Sequence, residues 1–393
     1  MITKFDSSYV GSVDLENPGY LGTPINERWY SNDVLADTLH KAVAYAQKMD
    51  GLGYDTFWMA EHHFQPEGTE CIPNLLMMAM HLVNQTKRLR IGCGFNIVPM
   101  WHPLRLAEDY AMADVLSNGR VVFGIGRGYH TREVETFGSP LIDQTANREL
   151  FEEGVDIIFK AFNEERFSHK GKNYTIPPAV PYRGYTLKEI TLVPRPKRLP
   201  VECWQPIQSG SDRAFDFMAK HGICGVIGGG LAEGGAVDRH MQGLQAAYAR
   251  RGIKLALGER IAIGFQFHIA ESKEAAIKKA AAYYEENMKM FGELRLVRAI
   301  TDEQIAAMRN PALVANTKLP RIEDAVKAGG FLAGTSADII AELKKVEARY
   351  PGLERVICTM PLGTPLATTL EQIERFAKEV MPAFKQPVRA AAD

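Results

Sequence analysis

Along most of the chain, short runs of β-branched and aromatic residues alternate with longer stretches in which apolar residues recur every three or four positions. This rhythm predicts parallel units of strand followed by helix. A first strand falls within residues 2–13. From Asp33 to Leu52, the residues Leu35, Leu39, Ala42, Val43, Ala46 and Met49 share one helical face, and Gly51 and Gly53 close the helix. Thr56 to Met59 reads as a second strand, Pro73 to Val83 as a helix opened by proline, Leu89 to Gly92 as a third strand and Pro103 to Leu116 as another helix. Asn118-Gly119 turns the chain into a fourth strand, Arg120 to Ile125, followed by a glycine-rich loop and a helix over 146–162.

Pro177, Pro178, Pro181, Pro194, Pro196 and Pro200 then break the rhythm and mark residues 164–200 as an irregular insertion. The alternation resumes with a strand at Val201 to Trp204, a helix at Ser211 to His221, a strand at Ile223 to Ile227, a helix at Glu233 to Arg251 and a strand at Arg260 to Ile269. After an alanine-rich helix over 272–291, residues 292–330 read as a second irregular insertion. A helix over 336–348, a strand at Arg355 to Thr359, a helix over 368–380 and a frayed tail at 389–393 complete the chain. The count approaches eight units, which favours an α/β fold of the (β/α)8 TIM barrel type with insertions, one domain over residues 1–393. An open doubly wound sheet for dinucleotides calls for a G-x-G-x-x-G turn after the first strand, and the first strand lacks it.

Composition narrows the partners. The chain holds 46 basic and 47 acidic residues with no long run of either sign, so a large electrostatic footprint for nucleic acid or an anionic membrane is not expected. Its five cysteines are scattered without a C-x-x-C pair, which predicts neither a zinc site nor a disulfide framework and points to a reducing, cytoplasmic setting. The first twenty residues form no export signal, and no run of eighteen apolar residues suggests a membrane span.

Four stretches carry candidate chemistry. Trp58 to Phe64 (WMAEHHF) follows the second strand, where a barrel places its active-site loops, and a histidine beside a glutamate can move protons near neutral pH. His62 and His63 point in opposite directions from a strand end and no third ligand is evident, so no metal site is expected; polar plugs satisfied by backbone are the plain alternative. Phe123 to Tyr129 (FGIGRGY) runs a strand into a loop of glycines with one arginine, a natural monophosphate cradle or a simple turn. Gln208 to Arg213 (QSGSDR) precedes a helix whose N-terminus can take an anion, or merely supplies an N-cap. Asn96 to Pro103 offers carbonyls and an amide to an aromatic ring system, with His102 read as structural.

Together, residues 53–64 (GYDTFWMAEHHF), 86–109 (TKRLRIGCGFNIVPMWHPLRLAED), 116–128 (LSNGRVVFGIGRG) and 192–222, with Gly334-Thr335-Ser336, resemble the bacterial luciferase family of flavin-dependent monooxygenases over about residues 35–380. The resemblance implies a barrel in which reduced FMN, delivered by a separate flavin reductase, reacts with O2 to a flavin C4a-peroxide that oxidises a small organic substrate. It implies that His62 acts as an acid or base near the flavin with Glu61 beside it. It further implies that Arg127 and Gly128, with Gly210 and Ser211, bind the phosphate, that Asn96 lines the isoalloxazine, and that the protein is a homodimer or higher oligomer. Gly126 stands where the light-emitting enzyme has a reactive cysteine, so luminescence is not implied. A deazaflavin-dependent dehydrogenase of the same superfamily and a non-catalytic flavin-binding relative are the rival readings. Phe64, Trp101, Tyr129 and Phe265, near strand ends, suggest a hydrophobic substrate such as an aldehyde, terpene or alkane, or belong to core packing. Either irregular region, 164–200 or 292–330, is a candidate lid.

Overall fold

In the computed structural model, which describes residues 1–208, 210–229, 235–297 and 300–384, eight parallel strands close on themselves. They are β1 (Lys4–Tyr9), β2 (Thr56–Met59), β3 (Arg90–Cys93), β4 (Val121–Gly126), β5 (Cys203–Pro206), β6 (Cys224–Gly228), β7 (Ile261–Ile269) and β8 (Arg355–Thr359). The register runs unbroken around the ring: Ser7 opposes Phe57, Trp58 opposes Gly92, Gly92 opposes Val122 and Phe123 opposes Cys203. Trp204 then opposes Cys224, Ile227 opposes Ile263, Phe265 opposes Cys358, and Phe5 opposes Val356. Closure leaves no open sheet edge along the ring. The fold is thus the (β/α)8 TIM barrel. Among the described residues no helix is long and apolar enough to cross a membrane.

Local chemistry explains where the outer helices begin and end. Helix α1 (Asn32–Leu52) starts where the Ser31 hydroxyl accepts from the Val34 amide, runs through Gly51 and stops at Gly53, whose φ of 82° belongs to the left-handed region. Helix α2 (Leu75–Gln85) starts two residues after the proline expected to open it, because Asn74 takes the capping position and accepts from the Met77 amide. Helix α3 (Pro103–Leu116) matches its expected bounds, and α4 (Gln144–Asn163) opens on Asp143, which caps Thr145 and Ala146. The strand expected at Val201 to Trp204 lies two residues later.

Residues 164–200 hold two short antiparallel pairs, His169–Lys170 with Thr175–Ile176 and Pro181–Tyr182 with Tyr185–Thr186. The second excursion corrects the sequence reading of 292–330 as irregular: it carries helices Asp302–Arg309 and Ile322–Lys327 around the 3-10 turn Pro311–Asn316. Elements of six to eight residues present too few turns for apolar periodicity to register, although the Thr301/Gln304 capping box was readable. The short helix Thr131–Thr136 was likewise missed inside the glycine-rich loop. Glu233, the expected start of a helix, and the expected frayed tail lie outside the described residues; that helix is described from Ala236 to Arg250.

Two buried ionic clusters hold the barrel and its N-terminal segment. At the lower end, Arg355 reaches Asp6 at 2.6 Å and Asp55 at 2.7 Å, while Trp58 donates its indole N–H to Asp6 at 2.7 Å. At the other, Arg28 forks onto both oxygens of Glu286 at 2.9 Å, Lys289 adds a third contact at 2.9 Å and the Gly19 amide a fourth at 2.7 Å. Glu286 lies on the long helix Lys273–Glu293, so this cluster staples residues 19–28 to that helix. Glu286→Ala leaves two buried cations facing each other and is expected to cost about 3–5 kcal/mol of stability, with Glu286→Gln costing less. Urea denaturation at pH 7 checks this; a loss under ~1 kcal/mol for the alanine variant would show that the staple is dispensable.

Candidate active site

The upper, C-terminal ends of five consecutive strands build one cavity of about 340 Å³. Val10 follows β1, Ala60 to His62 follow β2, Gly94 and Phe95 follow β3, Gly126 to Tyr129 end β4 and Gln205 to Gln208 end β5. Side chains at such ends converge on the barrel axis while the loops beyond them are free to vary. Two glycines make the approach possible. A Cβ on Gly124 would sit 1.8 Å from the Cys93 carbonyl oxygen, and one on Gly128 would sit 2.6 Å from Val134 at a φ of +81°.

His62 is buried between two carboxylates. Its Nδ1 lies 3.2 Å from Glu133, and its Nε2 lies 3.1 Å from Glu70 and 2.9 Å from the Tyr129 hydroxyl. Burial works against the imidazolium, but the charges and hydrogen bonds of Glu70 and Glu133 outweigh it and raise the His62 pKa to about 10. Glu70 is affected in the opposite sense: burial favours its acid form, the His62 cation more than offsets this, and its pKa falls to about 2. His62 is therefore a standing cation at neutral pH, where the sequence suggested a group titrating near 7. Glu70 and Glu133 carry no motif, which is why they escaped the sequence reading; they are isolated acids brought in by a loop and by the short helix Thr131–Thr136.

The neighbours of His62 are placed differently from one another. Glu61 lines the cavity, but its carboxylate is engaged by the Ile97 amide at 2.7 Å, the Trp101 indole N–H at 2.9 Å and His63 Nε2 at 3.2 Å, which makes it a brace for the β2 and β3 loops. His63 turns away from His62, its ring against Phe137 with centroids 4.8 Å apart. Atoms of His62, Glu70 and His130 come within 4.8 Å of one another, and the three side chains pair directly.

Asn96 stands between Phe95 and Ile97, which both line the cavity. It is fully buried and gives its amide N–H to the Gly124 carbonyl at 2.8 Å, so it braces β4 from behind while Gly94, Phe95 and Ile97 form the wall. The four aromatic residues suggested for a substrate also separate. Tyr129 lines the cavity, but Phe64 is half exposed and stacked on Phe137, Trp101 is tied to Glu61, and Phe265 is buried in the core. The apolar wall comes instead from Val10, Phe95, Ile97, Phe151, Phe217 and Phe291.

Two arginines, Arg127 and Arg148, also line the cavity. Arg127 is held by Asn147 at 2.8 Å through Nε and by the Gln144 carbonyl at 3.0 Å through Nη2. Burial, then the charges of Arg148 and Arg213, lower its pKa, the signature of positive groups gathered where an anion would relieve them. Glu152 offsets part of that charge by pairing with Arg213 at 2.6 Å. Gly210 and Ser211 sit at the rim, where the Ser211 hydroxyl caps helix Asp212–His221 and Gln208 and Ala214 on either side line the cavity. Ser209 lies outside the described residues. Arg148 was not found from sequence, because an arginine in mid-helix carries no signal of direction.

The sequence profile for luciferase-like monooxygenases matches residues 16–351. The chain belongs to the luciferase-like monooxygenase family. The oxygenase component of flavin-dependent trigonelline monooxygenase from Acinetobacter baylyi is 26% identical over 355 residues, covering 88% of this chain and 89% of its own. The alkanal monooxygenase alpha chain of the Kryptophanaron alfredi symbiont is 32% identical over 141 residues, a match that spans only 36% of this chain and 38% of that relative. Among solved structures, the oxygenating constituent of 3,6-diketocamphane monooxygenase from Pseudomonas putida, in complex with FMN, superposes with a TM-score of 0.71 at 18% identity over 97% of this chain and 98% of its own. An F420-dependent secondary alcohol dehydrogenase follows at a TM-score of 0.64 and 15% identity, covering 98% of this chain and 100% of its own. At these identities the structural matches show a shared fold.

Proposed function

We propose that this protein is a flavin-dependent monooxygenase that receives reduced FMN from a separate reductase and uses it with O2 to oxidise a small hydrophobic molecule. The observation that carries the reading is one cavity lined by Arg127 and Arg148, by apolar residues, and by His62 held between Glu70 and Glu133. The residues present fit the cofactor. Arg127 and Arg148, with the N-terminus of helix Asp212–His221 at the rim, suit a phosphate dianion. Gln205 lines the cavity and its buried side-chain carbonyl has no partner among the described residues, an acceptor ready for a ring N–H. Reduced FMN, when bound, supplies the two electrons with which one oxygen atom goes to substrate and the other to water.

The chain's own part is to bind, orient and shield. Tyr129 and His62 hold protons at the cavity wall, and the apolar residues keep water from the reacting groups. The name of the trigonelline relative as an oxygenase component supports a separate reductase. Anaerobic titration with photoreduced FMN, followed by mixing with O2, tests the proposal. Tight binding and oxygen consumption coupled to substrate oxidation are expected. Failure to bind reduced FMN, with binding of a reduced deazaflavin instead, would replace it with the dehydrogenase reading.

A further inference from the structure

We propose that His62, Glu70 and His130 form a proton relay that joins the main cavity to solvent through a second, separate cavity. The inference rests on the reading that the main cavity holds the flavin and is closed to water during turnover. The second cavity, about 230 Å³, is lined by His130, Gln65, Thr69 and Lys289, and its rim includes the exposed Asn26 and Arg132. His62, Glu70 and Tyr129 line the first cavity, and His130 lines the second. Glu70 is the wall between them. One of its oxygens lies 3.1 Å from His62 Nε2 and 3.2 Å from the Tyr129 hydroxyl; the other lies 3.2 Å from His130 Nε2 and 3.4 Å from Gln65.

An oxygenase that excludes water from its reacting groups still exchanges protons with solvent in each cycle, since water is one of its products. A chain of side chains solves this without opening the site. The proton on His62 Nε2 passes to an acceptor in the main cavity, directly or through the Tyr129 hydroxyl, which takes it while giving up its own. Neutral His62 no longer stabilises the Glu70 carboxylate, whose basicity therefore rises. Water in the second cavity protonates the other nitrogen of His130, the imidazolium gives its Nε2 proton to the second oxygen of Glu70, and Glu70 turns about Cγ–Cδ and hands that proton to His62. His130, left neutral with its proton on the nitrogen away from Glu70, resets when its ring flips or water moves that proton back to Nε2. No electron moves, and the net event is one proton carried inward. The groups that set the charge along this path are Glu133 and Tyr129 at His62, Gln65 at Glu70, and Lys289, Arg132, Glu67 and Glu293 around the second cavity.

The test uses 15N-histidine-labelled protein loaded anaerobically with photoreduced FMN, which blocks the direct route. The exchange rate of the His62 ring proton with water is read by NMR while flavin absorbance reports occupancy. In His130→Gln the exchange is expected to slow at least tenfold with flavin binding unchanged. In His130→Ala it is expected to slow equally and to recover when free imidazole enters the vacated space beside the second cavity. Glu70→Gln should slow it without imidazole recovery, because the break then lies inside the wall. Flavin bound normally with exchange in both His130 variants within twofold of wild type overturns the relay and leaves the cofactor assignment standing. No binding of photoreduced FMN by wild type overturns both.

Discussion

Replacing Arg127 with alanine is expected to weaken FMN binding about ten- to a hundredfold while leaving riboflavin within about twofold. The guanidinium is already oriented by Asn147 and Gln144, so little ordering is lost when a phosphate arrives, and a charge-assisted hydrogen bond contributes about 1.5–3 kcal/mol. Riboflavin carries no phosphate and has no use for the group. Arg148→Ala should show the same discrimination, whereas Arg213, already paired with Glu152, should matter less. Flavin fluorescence titration at two ionic strengths separates the cases, since the phosphate contribution is screened by salt and the ring contribution is not. Equal losses for FMN and riboflavin would mean that the phosphate lies elsewhere.

His62→Ala should show two effects. Turnover is expected to fall at least a hundredfold, the range for a group that positions or moves a proton, with flavin still bound. If coupled turnover survives intact, His62 has no part in the reaction. The second effect is on stability, because the alanine leaves Glu133 and Glu70 buried without the cation between them, a loss of about 3–5 kcal/mol. This loss depends on pH in a defined direction. The His62 pKa is raised from 6.5 to about 10 on folding, so its contribution is complete below 6.5 and declines as pH rises toward 10. The Glu70 pKa is lowered from 4.5 to about 2, so its contribution is complete above 4.5 and declines as pH falls toward 2. Wild type should therefore exceed His62→Ala most between pH 4.5 and 6.5, and the gap should narrow by pH 10. Urea denaturation at pH 6, 8 and 10 measures it; a gap independent of pH would mean that His62 is not held as a cation.

What the amino-acid sequence settled by itself was local. Helix α3 and strand β8 fall at their expected residues because period and capping act over a few positions, and proline and glycine mark breaks by their own stereochemistry. His62, Arg127 and Gly128, read as candidates because each stands just beyond a readable strand, line one cavity. Elsewhere the signal was too short or had no direction. Two helices in 300–330 passed for irregular chain, and Phe64, Trp101 and Phe265 had the right chemistry but faced solvent, a glutamate and the core. Only the tertiary structure decided what surrounds each group. Closure of eight strands in one register brings Glu133, 71 positions along the chain, onto His62, gathers Arg148 and Gln205 at the same cavity, and sets Glu70 between His62 and His130. The physical reason is that periodicity tells which face of an element is buried, whereas the partner across that face depends on how distant segments are brought together when the ring closes.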